Sequence, residues 1–485
     1  MSDDRTMDRI GPGVEREGAR AWLGIRYARA GRFQPPVLEA LDPAGRYDTA
    51  GAAPYQVPPE MPDLGAAPGE DCHFLNVWAP PGPVDEPLPV YVSVYGGGFE
   101  QGAGSAWPQD GARLAAAGGV VVVSPNYRVG ALGFLALSQH GGPFDHATNL
   151  GLRDLVVALR WVRENIARFG GDPDRVTVVG ESAGGFLAAA LPAVPSADGL
   201  YAQLSVHSAA ASRIVPAGRA VEMADGLLDA FGLRDRPHAL LQVAAADLVR
   251  AQGQVVSTDI GVRNGPAPQA FGVVDDSALP NGILAEHPAS AFAAGRARQV
   301  GLLVSATQDE ISGFRAASPA QFDPGTVGDV VAEVTGWGLA AAQAERIVQH
   351  HVDRLGPDAT PGSVRERVLS DYVYRLPAAR LAQLQADAGG RAHLVLIGGV
   401  DGQPAPHSCA AAGLVGRHMP VSSPAADRRD DELRDIVRSF VTGAPLPWPA
   451  CPAGAVLAHG IGELRQSATE SFAQTLAVWS GVPRP

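Results

Sequence analysis

A serine placed between two glycines is the strongest sign of chemistry in this 485-residue chain. The segment Gly180-Glu181-Ser182-Ala183-Gly184 follows a β-branched run at 175–179 and precedes a run of small residues at 185–190. A tight turn from a strand into a helix exposes a serine hydroxyl as a nucleophile, and the flanking glycines allow close backbone approach. In a chain with 58 glycines the motif alone is weak. The strand before it and the helix after it favour a catalytic role for Ser182.

A nucleophilic serine also needs hydrogen-bond donors for the negative charge that forms on a substrate carbonyl oxygen. The apolar run at 90–95 leads directly into Gly96-Gly97-Gly98-Phe99. Glycines at this point let the backbone approach a substrate with no side chain in the way. The backbone N–H groups of Gly97 and Gly98, with that of Ala183 after the nucleophile, are therefore the predicted oxyanion hole. The alternative interpretation of the glycines is a flexible turn.

These residues must be positioned by an α/β arrangement, because short β-branched runs alternate with helical patterns along the chain. The clearest runs are PVYVSVY, GVVVVSP, RVTVVGE, AQLSVHS, QVGLLVS and AHLVLIGG. They indicate a mainly parallel sheet with helices on both faces. Apolar residues at spacings of three and four over 152–169 predict a crossover helix, with Asn149 as its N-cap and Gly170-Gly171 at its end.

Alanine-rich stretches at 210–255 and 330–390 predict helices inserted between the later strands, forming a cap over the sheet. The chain is therefore interpreted as one domain over residues 1–485. Its cap insertions are expected at approximately 210–295 and 315–390.

The composition excludes several classes of function. All 38 residues counted as lysine plus arginine are arginine, which excludes Schiff-base enzymes, P-loop proteins, kinases and Ser-x-x-Lys acylases. A net charge of −13 disfavours nucleic acid and anionic membranes as partners. The first 18 residues are polar and acidic and contain no apolar core, so they are interpreted as lacking a secretory signal peptide. No apolar run approaches the ~18 residues that a membrane span needs. A cytoplasmic protein is predicted.

Three cysteines, Cys72, Cys409 and Cys451, are too few and too scattered for a disulfide framework or a zinc site. No cluster of histidine, cysteine or aspartate has metal-ligand spacing. The sequence therefore predicts neither a metal nor an organic cofactor.

Further motifs occur in a fixed order along the first half of the chain. They read Gly24-Ile25-Arg26-Tyr27-Ala28, Arg32-Phe33, Glu70-Asp71-Cys72-His73-Phe74-Leu75-Asn76-Val77, YGGGF at 95–99, Asn126-Tyr127-Arg128-Val129-Gly130, Leu132-Gly133-Phe134, Asn149 through Asp154, FGGDP at 169–173 and GESAGG at 180–185. In order and content they resemble the type-B carboxylesterases, the family that includes p-nitrobenzyl esterases and cholinesterases. The resemblance implies an α/β-hydrolase fold with a mainly parallel central sheet, flanking helices and inserted helical cap segments.

The resemblance also implies the acid of a catalytic triad. In the family a glutamate follows the next core strand in a D-E-G-like turn, and Glu310 stands in this place after the run at 301–305. Asp309 is the alternative acid, and Ile311 occupies a position where glycine is common in the family.

The base must follow the acid in the chain order serine, acid, histidine. Among the twelve histidines, His407 lies in the loop after the strand pattern at 394–397, which is the position that the resemblance implies. Gly416 fits the family pattern nine residues on, whereas Ala410 stands where the family usually has a glutamate. His418 is the alternative base.

The implied reaction is attack by Ser182 on an ester carbonyl, with His407 taking the proton and Glu310 supporting the imidazolium. Water then hydrolyses the acyl-enzyme. Glu181 either adds negative potential beside the nucleophile or fills a polar site. Ser208 lies in His207-Ser208-Ala209, where the family reads Q-S-G. It either hydrogen-bonds the triad acid, as the resemblance implies, or is an ordinary strand-end serine.

Family pairings carried over to this chain join Arg32 to Glu70 and Arg128 to Asp154. Cys72 has no cysteine before it, so the disulfide of extracellular members cannot form. The loop at 56–69 has no tryptophan to hold a quaternary ammonium group.

The prediction is a carboxylesterase acting on short- to medium-chain neutral esters, as a monomer or a homo-oligomer. Its expected partner is a small-molecule ester. The alternatives are a catalytically inactive member used for adhesion or scaffolding, and an amidase or lipase on the same scaffold.

Overall fold

One ten-stranded sheet organises the described part of the chain, which is residues 10–11, 13–57 and 63–483 of a computed structural model. The strands are β1 (Val14–Arg16), β2 (Ala19–Arg26), β3 (Phe74–Ala79), β4 (Leu88–Val94), β5 (Val121–Pro125), β6 (Gly171–Glu181), β7 (Gln203–His207), β8 (Gly301–Thr307), β9 (Ala392–Ile397) and β10 (Ala458–Ile461). Their spatial order is β1-β2-β3-β5-β4-β6-β7-β8-β9-β10. The pairs β1–β2, β2–β3 and β3–β5 are antiparallel, and every later pair in that order is parallel.

The parallel part of the sheet is valine-rich because helices cover both of its faces, as parallel sheets require. Strands β5, β8 and β9 are buried along their whole length. The fold is therefore the predicted α/β-hydrolase arrangement, a large and mostly parallel sheet flanked by helices. The predicted β-branched runs all fall on strands of this sheet.

The α-helices in the described residues cover the sheet and fill the later connections. They are α1 (Ala112–Ala116), α2 (Gly130–Phe134), α3 (Leu150–Asn165), α4 (Ala183–Ala190), α5 (Ala217–Ala230), α6 (Ala245–Ala251), α7 (Ile260–Asn264), α8 (Pro288–Ala293), α9 (Ser312–Ala317), α10 (Pro319–Phe322), α11 (Val327–Gly336), α12 (Ala341–Leu355), α13 (Pro361–Ser370), α14 (Leu376–Asp387), α15 (Pro424–Thr442) and α16 (Ala468–Val478). A π-helix, Asp371–Arg375, joins α13 to α14. Within residues 10–11, 13–57 and 63–483, no helix is both long and apolar enough to cross a membrane.

The crossover helix α3 lies where its apolar spacing predicts it, and Gly170 follows its 3-10 extension with φ 84°. Asn149 precedes α3 as predicted, but its side chain does not cap the helix. The Asn149 amide instead exchanges two hydrogen bonds with the backbone of Val274. Tertiary pairing with a distant segment has therefore replaced the local capping bond.

Helices occupy much of both ranges interpreted as cap insertions, 210–295 and 315–390. Helix α14, at the end of the second range, packs directly on β8 and β9. The assignment of both ranges to a cap stays a prediction. The N-terminal segment interpreted as lacking a signal peptide lies outside the described residues at 1–9 and 12, and the loop at 56–69 does so at 58–62.

Candidate active site

The serine turn has the strained backbone that the predicted role of Ser182 requires. Ser182 lies between β6 and α4 with φ 53° and ψ −122°, a backbone conformation rare for residues with a side chain. The two glycines of the motif are required by close contacts. A Cβ on Gly180 would lie 2.2 Å from the Gly184 carbonyl oxygen, and a Cβ on Gly184 would lie 2.1 Å from that of Val94.

Parallel pairing places the serine turn beside the glycine turn. Gly180 of β6 is in register with Val94 at the end of β4, and Glu181 is in register with His207 at the end of β7. The Ser182 N–H donates to the His207 carbonyl at 2.9 Å, which fixes the start of the turn. The site thus lies at the carboxyl ends of adjacent parallel strands, where ligands bind in open α/β sheets.

Ser182, His407 and Glu310 form one continuous hydrogen-bonded chain. The Ser182 Oγ lies 2.8 Å from His407 Nε2, and His407 Nδ1 lies 2.7 Å from Glu310 Oε2. Because a carboxylate only accepts hydrogen bonds, Nδ1 carries the proton and Nε2 is free to accept one from the serine. The three side chains lie far apart in sequence, and the fold brings all of them together.

Glu310 is held rigidly from two sides. Its Oε1 accepts the Thr307 N–H at 2.7 Å, and its backbone carbonyl accepts the His407 N–H at 3.0 Å. The Glu310 side chain has no solvent exposure. These contacts fix the carboxylate and the base as one unit, which limits the reorganisation needed during a reaction.

The alternative acid and base point elsewhere. Asp309 pairs with Arg367, and its Oδ2 accepts the Ala405 N–H at 3.0 Å. His418 lies 2.8 Å from Asp431 on the side of α15. Neither residue contacts Ser182 within the described part of the chain, so the geometry favours Glu310 and His407 over both.

The predicted oxyanion glycines form a turn with unusual backbone angles. Gly97 has φ 113° and Gly98 has φ 66°. Ala183 is the first residue of α4, so its N–H has no partner inside the helix. Tyr95, just before the turn, stacks on Tyr127 at 4.1 Å, and each tyrosine hydroxyl donates to the other's carbonyl. This tyrosine pair braces the strand end that carries the glycines.

Glu181 lies closer to the base than its sequence position indicates. Its Oε1 is 3.7 Å from His407 Nε2 and accepts the Ser408 hydroxyl at 2.5 Å. Burial raises the pKa of the Glu181 carboxyl above its ordinary value, although His407 and Ser408 lower it in part. Sequence reasoning missed Ser408, because only its place next to His407 marks it.

Of the two interpretations of Ser208, a hydrogen bond to the triad acid or an ordinary strand-end serine, the geometry favours the second: among the described residues no hydrogen bond joins Ser208 to the Glu310 carboxylate. Ser208 follows β7 with φ 47°, and its backbone N–H donates to the Ser305 carbonyl. Within the described residues, the Glu310 carboxylate accepts its hydrogen bonds from Thr307 and His407. Both carboxylate oxygens are therefore engaged without Ser208.

Two aromatic rings that the sequence did not identify pack against the base. Tyr374 lies 4.6 Å from His407 between ring centroids, and Phe314 lies 5.6 Å away. Tyr374 belongs to the π-helix, and such irregular turns occur frequently at functional sites. The helical register needed to place Tyr374 over the imidazole depends on this extra residue, which leaves no simple periodic signal.

Both structural ion pairs implied by the family motifs are present. Arg32 donates to Glu70 from Nε at 2.7 Å and from Nη2 at 2.5 Å. Arg128 donates to Asp154 from Nε at 2.9 Å and from Nη2 at 2.7 Å, and the Asp154 side chain is fully buried. A neighbour that the motifs did not indicate, His73, lies 3.0 Å from the same carboxylate.

The strand order, the parallel register and the serine at the β6–α4 turn define the α/β-hydrolase class. A model described as the carboxylesterase family matches residues 11–396. The chain belongs to the carboxylesterase family.

Similar proteins carry esterase names. The para-nitrobenzyl esterase of Bacillus subtilis is 39% identical over 312 residues, which is 61% of this chain and 60% of that enzyme. The fumonisin B1 esterase of Sphingopyxis macrogoltabida is 35% identical over 308 residues, which is 62% of this chain and 51% of that enzyme. These matches thus span less than two thirds of either relative's length.

The structural likeness is broader. A solved carboxylesterase of Geobacillus stearothermophilus superimposes with a TM-score of 0.82 and 29% identity, over 96% of this chain and 97% of that one.

Proposed function

We propose that the protein is a serine carboxylesterase that hydrolyses short- to medium-chain carboxylic esters through an acyl-enzyme. The observation that carries this proposal is the continuous hydrogen-bonded chain from Ser182 Oγ through His407 to Glu310 at a strained strand-to-helix turn. Membership of the carboxylesterase family and the esterase names of its relatives support the same reaction.

In the proposed reaction Ser182 attacks the ester carbonyl while its proton passes to His407 Nε2. The oxyanion accepts hydrogen bonds from the N–H groups of Gly97, Gly98 and Ala183. The imidazolium, stabilised by Glu310, returns its proton to the leaving alkoxide, and the alcohol departs. Water then attacks the acyl-serine with His407 again as base, which releases the acid and restores the serine.

Covalent labelling tests the proposal directly. A fluorophosphonate probe phosphonylates a serine only where an adjacent base activates it, so we expect labelling of the folded protein at Ser182 and loss of labelling after heat denaturation. Turnover of short p-nitrophenyl esters should fall in proportion as the labelled fraction of the folded protein rises. A folded protein that resists the probe would instead be an inactive binding member of the family.

A substrate panel separates esterase from amidase and lipase. The panel compares a soluble short p-nitrophenyl ester, its anilide and an emulsified long-chain triglyceride. We expect preference for the soluble ester, and a preference for either of the others would overturn the proposed reaction class.

Ester turnover should fall as the solution becomes acidic, because the base must be neutral to accept a proton. Burial alone would lower the pKa of His407, but the hydrogen bond and charge of Glu310 outweigh it and raise the pKa above its ordinary value. Activity is therefore present above this raised pKa and is lost as pH falls through it. A profile of kcat/KM against pH checks the prediction, and an acidic limb centred below about 6.5 would contradict it.

Replacing Gly97 by alanine should lower kcat about 10²- to 10³-fold, the loss typical of one oxyanion donor. At φ 113° alanine is strained, and its Cβ would lie 2.2 Å from the Gln101 carbonyl oxygen, so the turn must rotate. Steady-state kinetics on a p-nitrophenyl ester measures the effect. Gly82→Ala is the matched control, because Gly82 has φ 91° and open space at its Cβ among the described residues. That control should keep its kcat.

A further inference from the structure

Ser408, the residue after His407, hydrogen-bonds the Glu181 carboxylate, which lies beside the imidazole of His407. Its hydroxyl donates to Glu181 Oε1 at 2.5 Å. The same Glu181 oxygen lies 3.7 Å from His407 Nε2, whereas Ser182 Oγ lies 2.8 Å from that nitrogen. Two oxygens therefore face one imidazole nitrogen, and the nearer one belongs to Ser182.

The backbone at Ser408 is unfavourable for a serine. Its φ of 61° lies in the left-handed region, which glycine adopts freely and which strains most residues with a side chain. Ser408 is also exposed, so burial of its side chain does not explain a serine at this position. What a glycine at this position could not form is the side-chain hydrogen bond that Ser408 makes to Glu181.

The Glu181 carboxylate occupies a tight space between the serine turn and the glycine turn. A Cβ added to Gly96 would lie 2.6 Å from Glu181 Oε2, so the carboxylate fits because residue 96 has no side chain. Several other titratable or charged groups act on Glu181 or on His407 from the surrounding elements. They are Glu310, Tyr127, Tyr374, Cys409 and Arg213.

We propose that Ser408 is a positioning residue that holds the Glu181 carboxylate away from His407 Nε2, so that the histidine exchanges its proton with Ser182 and the leaving group. The proposal rests on the proposed esterase function. During acylation the Ser182 proton moves to Nε2 and must next pass to the leaving alkoxide oxygen. A carboxylate that approached Nε2 to hydrogen-bond distance would stabilise the imidazolium and retain that proton. The Ser408 hydroxyl occupies Oε1 and prevents this approach.

The test compares three variants of Ser408. Ser408→Ala and Ser408→Gly remove the hydroxyl, and Ser408→Asn restores a hydrogen-bond donor. We expect Ser408→Ala to lower kcat about tenfold, in line with loss of one hydrogen bond to a charged group, with KM little changed. The acidic limb of its profile of kcat/KM against pH should move to higher pH, because the released Glu181 carboxylate favours the protonated form of His407. Ser408→Gly should show the same kinetics with an unfolding temperature at or above that of the wild type, since glycine relieves the strain.

Ser408→Asn should recover most of the activity and the wild-type acidic limb. Asparagine tolerates the left-handed region, and its amide can donate to a carboxylate. Asp401→Gly is the matched control, because Asp401 is exposed in the same connection at φ 52°. It should leave kcat and the pH profile unchanged.

A double-mutant cycle with Glu181→Gln separates positioning from a merely structural role. If Ser408 acts through the carboxylate, Ser408→Ala should change neither kcat nor the acidic limb in the Glu181→Gln background. The same tenfold loss in both backgrounds, or a wild-type limb in Ser408→Ala, would overturn the proposal. Fluorophosphonate labelling of the wild type distinguishes this failure from failure of the proposed function, since an unlabelled wild type refutes the esterase itself.

Discussion

If the proposed mechanism holds, replacing Ser182 by alanine should abolish ester turnover, with kcat falling about 10⁴- to 10⁶-fold. The alanine removes the oxygen that hydrogen-bonds His407 and that, in the proposed reaction, forms the bond to the acyl group. The turn keeps its glycines at 180 and 184, so the fold should persist. Steady-state hydrolysis of a p-nitrophenyl ester, with the unfolding midpoint measured alongside, checks both parts of this prediction.

The companion variant His407→Ala should lose nearly as much, and the double variant should lose no more than the worse single variant. In the proposed mechanism the nucleophile and the base act as one unit, so their effects do not multiply. Losses that multiplied in the double variant would mean that the two residues act independently. Ser196→Ala, an exposed serine on the same chain, should retain full activity.

The fold and the strained turn that carries Ser182 could be predicted from the sequence because their signals are local. Consecutive β-branched residues predict strand β6. The tight turn after it requires Gly180 and Gly184, each two residues from Ser182. Glu310 and His407 have no such signal, since the strands that carry them are separated by long helical segments. Their prediction depended on the order of motifs in a known family, and the structure brings both to Ser182.

Contacts between distant segments escaped prediction for a physical reason. The hydrogen bond from Ser408 to Glu181 depends on how the loop after β9 meets the carboxyl end of β6, and neither segment encodes the other's position. The same holds for the π-helix that places Tyr374 on His407. Asn149 shows the reverse error, because its local capping propensity gave way to pairing with Val274.

Replacing Arg128 by alanine should destabilise the fold by about 3–5 kcal/mol, because it leaves the Asp154 carboxylate buried without its cation. Arg128 is 5% exposed and Asp154 is 0% exposed. Although burial alone would raise the pKa of Asp154, the charges and hydrogen bonds of Arg128 and His73 outweigh it and lower the pKa. This depressed pKa contributes stability above the ordinary range of an aspartate, and the contribution is lost as pH falls through that range and below it.

The contribution of the pair to the free energy of unfolding is measured by urea unfolding. The proteins compared are Arg128→Ala, the single variants Arg128→Met and Asp154→Leu, and the double variant Arg128→Met/Asp154→Leu. The double variant should recover part of the lost stability, because removing both charges leaves neither one uncompensated. Arg163→Ala is the matched control, since Arg163 and its partner Asp174 are largely exposed and such pairs are worth about 0–1 kcal/mol. If Arg128→Ala unfolds at the same urea concentration as this control, the buried pair does not stabilise the fold.

Arg128→Ala should also lower kcat, because the segment that Arg128 holds in place also supports the glycine turn at 96–98. The Gly130 N–H donates to the carbonyl of Phe99, the residue that follows the predicted oxyanion glycines, at 2.6 Å. Tyr127, beside Arg128, stacks on Tyr95 just before them. When Arg128 no longer holds this segment, both supports loosen. A loss of kcat already present well below the unfolding midpoint would separate this positional effect from loss of folded protein.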